Sequence, residues 1–163
     1  MTETEDKRFL YSNFQVTVGE STVGFSEVSG LCIEYEAVGY YRDGLSFVSG
    51  PALIIGKMKP VNLVLKKGLT EMKDYYHLEQ WINKCGEDPF DKLARRDVTI
   101  MGFNKKKENG VLKLNEQISW KALAAMPVKL SVSSFDALKN EVVIASFELL
   151  VAKLIVTYEP KPQ

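Results

Sequence analysis

The chain has 163 residues, and its 21 Lys or Arg residues balance 21 Asp or Glu residues, so the formal net charge is zero. This balance argues against a protein that binds nucleic acid through its overall field, and it favours mild self-association. Two cysteines and one histidine exclude a disulfide scaffold, a four-cysteine zinc site and an HExxH zinc helix.

The length and the ends of the chain predict one domain over 1–163. Apolar residues make up 45% of the sequence, enough for a substantial core. Residues 1–8 lack the features of a secretion signal, so we expect assembly in the cytoplasm with reduced thiols. Residues 1–8 and 159–163 are expected to be flexible. The most apolar stretch, 142–156, contains two charged residues and is too short to span a bilayer, so no membrane insertion is expected.

The first third of the chain is predicted to be β-structure. Residues 13–19 alternate between apolar and polar side chains, and 23–38 continue as a long strand that contains Gly30 at a bulge or close backbone approach. Residues 40–56 are rich in glycine and aromatic residues and have no clear period, which indicates a long loop or an extended hairpin. Alternation resumes over 60–67.

A single substantial helix is predicted after the strand that ends near residue 67. Thr70 is the expected N-cap and Gly86 the expected C′ residue. Trp81 is expected on the flank of the helix, in contact with a neighbouring chain. A short helical turn should follow over 88–93. The apolar face of the helix contains Met72, Tyr75, Leu78, Ile82 and Cys85.

The second half of the chain completes the predicted sheet. Residues 97–103 and 111–120 form a hairpin around Asn109-Gly110, which is a strong turn signal. Further strands are predicted over 126–133 and 141–158. With about seven strands and one helix, the expected class is mainly β (α+β): a two-sheet β-sandwich or barrel with one flanking α-helix.

The sequence shows no catalytic or cofactor motif that would indicate an enzyme. The stretch 50–58 has one residue too many between its glycines for a phosphate-binding loop, and Met58 stands where Ser or Thr is needed. His77 lies two turns from Cys85 on the predicted helix, so a thiolate dyad with Cys85 or Cys32 is not expected.

Two clusters of charged residues are also interpreted as ordinary surface. Glu34 and Glu36 share one strand face and would be a general acid and base only in a cleft, so a solvated face is preferred. Phosphate binding would require the lysines of 105–107 on one binding face. These residues, Lys105, Lys106 and Lys107, are instead expected at a hairpin tip. No catalytic residue, metal or cofactor is predicted.

Several motifs, in order along residues 9–158, resemble the tail tube proteins of contractile phages. The segment 25–31 is similar to their FxEVxGL signature, 41–44 to the Tyr-Arg-Asp/Glu-Gly that follows, and 65–68 to a Leu-Lys-Arg-Gly before a tryptophan-bearing helix. Later similarities lie at 96–100 and 127–129. The residues that carry the resemblance include Phe25, Glu27, Gly30, Leu31, Gly68, Trp81, Trp120 and Asp136.

The resemblance implies a structural subunit of a phage tail or a phage-tail-like contractile injection system. In that family hexameric rings stack into a hollow tube, and a contracting sheath drives the tube through a target envelope. The implied partners are the sheath, baseplate, spike and tube-terminating proteins, with protein or DNA cargo in the lumen. The apolar content of the segment 40–56 favours a ring-stacking arm over an ordinary solvent loop. The candidate arm residues are Tyr40, Tyr41, Arg42, Asp43, Gly44, Leu53, Ile54 and Ile55.

Other functions remain open at this point. The sequence departs from the family pattern at Ala145 and at 151–153, where the family usually has polar residues. A baseplate-proximal tube paralogue is therefore an alternative to the main tube subunit. Two alternatives of other classes are a small β-barrel that binds a ligand in its interior and an enzyme with an unrecognised site.

Overall fold

A computed structural model describes residues 13–40, 50 and 52–163, apart from the side chain of Lys107. This part of the chain contains one α-helix, α1 (Met72–Glu87), and a 3₁₀ turn at Lys92–Ala94. Its ten strands are β1 (Phe14–Val18), β2 (Ser21–Val23), β3 (Glu27–Ser29), β4 (Tyr35–Tyr40), β5 (Ala52–Met58), β6 (Val61–Gly68), β7 (Arg96–Glu108), β8 (Val111–Val132), β9 (Ile144–Val151) and β10 (Lys153–Glu159).

Eight of these strands form one sheet, which folds into two layers along the 22-residue strand β8. The first half of β8 pairs with β7 on one side and β10 on the other, giving a layer ordered β2-β1-β7-β8-β10. The second half pairs with β9, giving a layer ordered β8-β9-β6-β3. The described strands do not close into a barrel, because the pairing ends at β2 and β3. The mainly-β two-layer fold with one helix is confirmed.

The change of layer occurs at a backbone irregularity in β8. Ala124 has a φ of 51°, which is unfavourable for a residue with a Cβ atom. The Asp97 carboxylate accepts a hydrogen bond from the Ala124 N–H at 2.9 Å. This bond satisfies an amide that the irregular backbone would otherwise leave without a partner.

The core lies between the inner faces of the two layers. Val98 and Ile100 of β7 face it from the first layer, and Leu63, Phe147 and Leu149 face it from the second. Most of the residues that alternate with these side chains are polar, such as Thr99, Asn62 and Glu148, so each layer has an apolar inner face and a largely polar outer face. The sequence pattern predicts this arrangement well, since period-two alternation is the signal of a half-buried strand.

The helix packs on this core through Leu78, Trp81 and Cys85. The expectation that Trp81 lies on the flank and contacts a neighbouring chain is wrong, because only 2% of it is exposed. Its indole Nε1 donates a hydrogen bond to the Ala94 carbonyl at 2.7 Å. Its ring lies 5.5 Å from that of Phe147, and the Arg96 guanidinium lies 5.1 Å over it. Trp81 therefore joins the helix, the 3₁₀ turn and the second layer.

The ends of the helix also differ from the prediction. The N-cap is Glu71 rather than Thr70, and its side chain makes no capping hydrogen bond. Gly86 belongs to the helix, which ends at Glu87. Met72, predicted on the apolar face, is almost fully exposed.

Three strand predictions need correction. The segment 23–38 contains the end of β2, then β3 and the start of β4, rather than one strand. Gly30 causes one interruption: its φ is +90°, and a Cβ atom there would lie 2.1 Å from the Asn62 carbonyl oxygen. The segment 126–133 is largely the end of β8. The segment 141–158 contains two strands, β9 and β10, rather than one. β9 pairs with β6, whereas β10 pairs with the first half of β8.

Two hairpin predictions are confirmed. β7 and β8 meet at Asn109 and Gly110, which have φ values of 50° and 80° as a tight hairpin turn requires. The segment 40–56 is interpreted as a long loop or an extended hairpin. Residues 41–49 and 51 lie outside the described residues, but Tyr40 ends β4 and 52–56 belong to β5, and these two strands pair antiparallel as in an extended hairpin.

Candidate assembly surface

The strands β4 and β5 form a separate two-stranded sheet that we call the arm (residues 35–40 and 52–58). Within the described chain, neither strand pairs with the eight-stranded sheet. An isolated two-stranded sheet is at best marginally stable in water. The arm therefore has the character of an element that gains stability from a partner surface.

Both faces of the arm carry exposed apolar side chains. The register places Ile54 opposite Val38 on one face, and Leu53 opposite Gly39 on the other. Ile55 lies beside Leu53 on that second face, opposite the small Ala37. Because Ala37 and Gly39 are small, Leu53 and Ile55 project from this face, and they are 72% and 78% exposed. We call Leu53 and Ile55 the arm knobs.

Polar contacts close the base of the arm, between the residues that flank its two strands. The Lys59 amide donates to the Glu34 carbonyl at 2.8 Å, and Lys59 Nζ lies 2.6 Å from Glu34 Oε1. The hydrogen bond that Lys59 donates to the Glu34 carboxylate, followed by the negative charges of Glu34 and Glu36, raises the pKa of Lys59. Glu34 is thus one half of an exposed ion pair at the arm's base, which agrees with its interpretation as surface.

An apolar groove opens between the first layer and β3. It has a volume of about 660 Å³, and Gly102 forms part of its wall between the side chains of Phe14 and Ile118. A glycine there leaves space where any other residue would place a side chain. We call this cavity the core groove; its apolar lining consists of Phe14, Val28, Leu31, Ile100, Ile118 and Trp120.

The outer faces of the two layers are polar. In the first layer one cross-strand row contains Thr22, Thr17, Thr99 and Lys121. In the second layer the outer face is crossed by ion pairs.

Two of these ion pairs join neighbouring strands of the second layer. Lys66 Nζ lies 3.0 Å from Glu27 Oε1, and Lys129 Nζ lies 3.6 Å from Glu148 Oε1. Exposed pairs of this kind each contribute about 0–1 kcal/mol, so they keep the face soluble rather than hold the fold together.

The predicted arm residues divide into two groups. Tyr40, Leu53, Ile54 and Ile55 lie together on the arm and are exposed. Tyr41, Arg42, Asp43 and Gly44 lie outside the described residues.

The residues that carry the family resemblance are spread over the fold rather than gathered at one site. Phe25 and Trp81 are in the core, and Gly68 ends β6. Leu31 and Trp120 line the core groove.

The remaining motif residues have local structural contacts. Glu27 pairs with Lys66 across two strands, and Gly30 permits a close approach to β6. Asp136 Oδ1 accepts from the Leu138 N–H at 3.0 Å in the turn between β8 and β9. Sequence reasoning did not identify the core groove, because its walls come from strands that are distant in sequence.

The side chains considered for catalysis do not form a site. His77 is exposed on the helix with its ring edge against Tyr76, whereas Cys85 is buried with its Sγ 3.4 Å from the Ala94 carbonyl. Burial raises the pKa of the Cys85 thiol, which keeps it protonated and unreactive. Within residues 13–40, 50 and 52–163, no group of His, Cys, Asp and Glu is arranged to hold a metal ion. No helix in the same ranges is long and apolar enough to cross a membrane.

The two-layer fold, the unpaired apolar arm and the apolar groove define a structural protein with surfaces suited to self-association. Comparison with known families identifies it further: the model of the T4-like virus tail tube protein gp19 family matches residues 11–154. The chain belongs to this family of structural tail tube proteins, as its motifs indicate. A search of curated proteins gives no significant match.

Solved structures agree with this assignment. A chain from the PVC sheath-tube complex, an extracellular contractile injection system in its extended state, is 27% identical, with 93% of each chain covered and a TM-score of 0.71. A chain from the tube-terminating cap of the anti-feeding prophage is 27% identical, with 96% of this chain and 99% of that chain covered and a TM-score of 0.70. A chain from the PVC sheath/tube terminator is 28% identical, with coverages of 92% and 96% and a TM-score of 0.67.

Proposed function

We propose that this protein is the inner-tube subunit of a contractile injection system or phage tail. Hexameric rings of the subunit stack into a hollow tube, and a contracting sheath drives the tube through a target envelope while cargo passes through the lumen. The family, together with 27% identity over 93% of a chain from a sheath-tube complex, supports this function. The observation that carries it is the arm, an apolar element that no other described strand covers.

The unpaired strand edges support closure into a ring. β10 has seven residues and pairs only with β8 among the described strands. The second half of β8, from Met126 to Val132, has β9 as its one described partner. Free edges of this length invite pairing with another chain, and head-to-tail pairing closes into a ring when its rotation closes. Pairing between neighbouring subunits would satisfy these backbone groups.

The arm supports stacking of one ring on the next. Its apolar side chains are exposed in the single subunit and would be buried between rings. Fixing the arm backbone costs about 1–2 kcal/mol per ordered residue, so stacking would be favoured where a preformed end orders several arms together. Growth of the tube would then depend on a template.

The implied partners follow from this assembly. The sheath would surround the tube, baseplate and spike proteins would start it, and a terminating protein would cap it. Subunits would be made and assembled in the cytoplasm, without insertion of the subunit into a membrane. The lumen would carry protein or DNA.

Electron microscopy of the purified protein tests this function. We expect annular particles with sixfold views, or tubes, in negative stain. A strictly monomeric protein at high concentration, without partners, would contradict the proposal.

A second test addresses the arm. Replacing Leu53, Ile54 and Ile55 together by serine should leave the circular dichroism spectrum and the rings unchanged but abolish tubes. Long tubes of this variant would show that the arm does not stack the rings. A variant that fails to fold would contradict the exposed position of these side chains on the arm.

A baseplate-proximal paralogue is the alternative taken from the sequence alone. A tube-terminating role is the second candidate. It is favoured by the similarity to chains in two terminator or cap structures, at 27% and 28% identity. A main tube subunit should elongate into long tubes, whereas a terminating subunit should form single rings that stop the growth of tubes.

A further inference from the structure

We propose that the arm knobs of one subunit insert into the core groove of a subunit in the adjacent ring. This inference rests on the proposed function and assigns the surface that receives the arm. It commits to a second copy of this chain as the occupant of the groove.

The shape of the arm supports insertion through one face. Leu53 and Ile55 are two residues apart on β5, so their side chains lie about 7 Å apart on the same face. The residues opposite them, Gly39 and Ala37, leave the two side chains standing above the strand pair. A pair of projecting aliphatic side chains on a short strand is suited to a narrow apolar cavity.

The core groove has the complementary chemistry. Its lining is mostly apolar, and Phe14, Val28, Ile118 and Trp120 are only half-buried, although their faces belong to the core side of their strands. Gly102 widens it between Phe14 and Ile118. Within the described residues, side chains that face the core are therefore left in contact with water, and burial by apolar groups would stabilise them.

The two surfaces lie on different parts of one chain, which determines the kind of assembly they make. A projecting patch that fits a cavity elsewhere on the same molecule gives a head-to-tail contact, and such contacts propagate unless they close. In the single subunit the knobs remain exposed, so its own groove does not hold them. In the proposed function the contacts within a ring close on themselves, whereas the contacts between rings can continue along the tube axis. The contact between knobs and groove is therefore assigned to the ring-to-ring direction.

Cross-linking between two variants that each carry one accessible cysteine tests the contact directly. Both are made with Cys32→Ser, since Cys32 is exposed while Cys85 is buried. Ile55→Cys places a thiol on a knob, and Val28→Cys places one in the groove. Mixed rings are assembled into tubes and treated with a short bismaleimide. We expect interchain dimers in the mixture and none from either variant alone.

A matched control replaces the knob thiol with one at another exposed apolar position. Leu138 lies in the turn between β8 and β9 and is 96% exposed. Leu138→Cys mixed with Val28→Cys should give no dimers above the level of the separate variants. Equal cross-linking from Leu138→Cys and Ile55→Cys would overturn the inference.

The outcomes separate this inference from the proposed function. Tubes that form normally but give no dimer between Ile55→Cys and Val28→Cys would refute the groove as the receptor and leave the tube function standing. Absence of rings and tubes in the unmodified protein would refute both. Another possible occupant is the segment 1–12 of the same chain. An intrachain product from Leu10→Cys with Val28→Cys, without interchain dimers in the mixed tubes, would show that this segment fills the groove.

Face-specific substitutions give an independent readout. Leu53→Ser with Ile55→Ser should lower the fraction of protein that sediments as tubes more than about tenfold, because two large apolar side chains no longer enter the groove. Ile54→Ser, on the opposite face of β5, should preserve dimer formation between Ile55→Cys and Val28→Cys. Loss of that dimer with Ile54→Ser would show that the knob face is not the inserted one.

Discussion

Replacing Trp81 with phenylalanine tests how the helix is joined to the rest of the fold. The substitution removes the indole N–H that donates to the Ala94 carbonyl at 2.7 Å. That carbonyl is left with the weak Cys85 thiol contact at 3.4 Å. The variant also leaves a void beside Phe147 and takes away part of the surface on which Arg96 stacks.

The expected loss of stability follows from these contacts. An unsatisfied buried polar group costs about 1–3 kcal/mol, and the void left by the smaller ring adds a cavity term of about 1 kcal/mol. We therefore expect Trp81→Phe to lower the free energy of unfolding by about 2–4 kcal/mol. Trp81→Ala should lower it by about 3–5 kcal/mol.

Urea unfolding followed by circular dichroism measures this change. It is performed at a protein concentration where rings do not form, because association would add to the apparent stability. Met72→Ala is the matched control on the same helix: Met72 is almost fully exposed, and a change within about 0.5 kcal/mol is expected. A loss below about 1 kcal/mol for Trp81→Phe, with an unchanged denaturant slope, would refute the assigned role of the indole.

Four other measurements test the fold. Leu78→Ala should cost about 2–5 kcal/mol in a thermal or urea melt, and an unmoved midpoint would show that this helix face is not in the core. Gly30→Ala should cost about 2–4 kcal/mol, since φ is +90° and the new Cβ would meet the Asn62 carbonyl; a neutral result would contradict that close approach. A thiol reagent should label Cys32 quickly and Cys85 only on unfolding. Because burial raises the pKa of Cys85, its contribution to stability is complete below the ordinary thiol pKa and declines at more alkaline pH, which melts at increasing pH would detect.

The sequence by itself determined the β class, the helix and the family. Alternation identified the half-buried strands, three- and four-residue steps identified the helix, and Asn109-Gly110 identified the hairpin between β7 and β8. These signals are local, since they depend on which side of one element meets the core. The ordered motifs along the chain identified the tail tube family, which the family match over residues 11–154 confirms.

Only the tertiary structure decided which strands pair with each other and which apolar surfaces remain exposed. Alternation is the same whichever strand lies alongside, so it did not reveal that β8 serves both layers or that 23–38 is not one strand. The close backbone approach predicted at Gly30 is confirmed. Trp81 was assigned to the wrong environment because its burial depends on Ala94 and Phe147, which are distant in sequence. The core groove arises in the same way: Gly102 creates space only because pairing places it between Phe14 and Ile118.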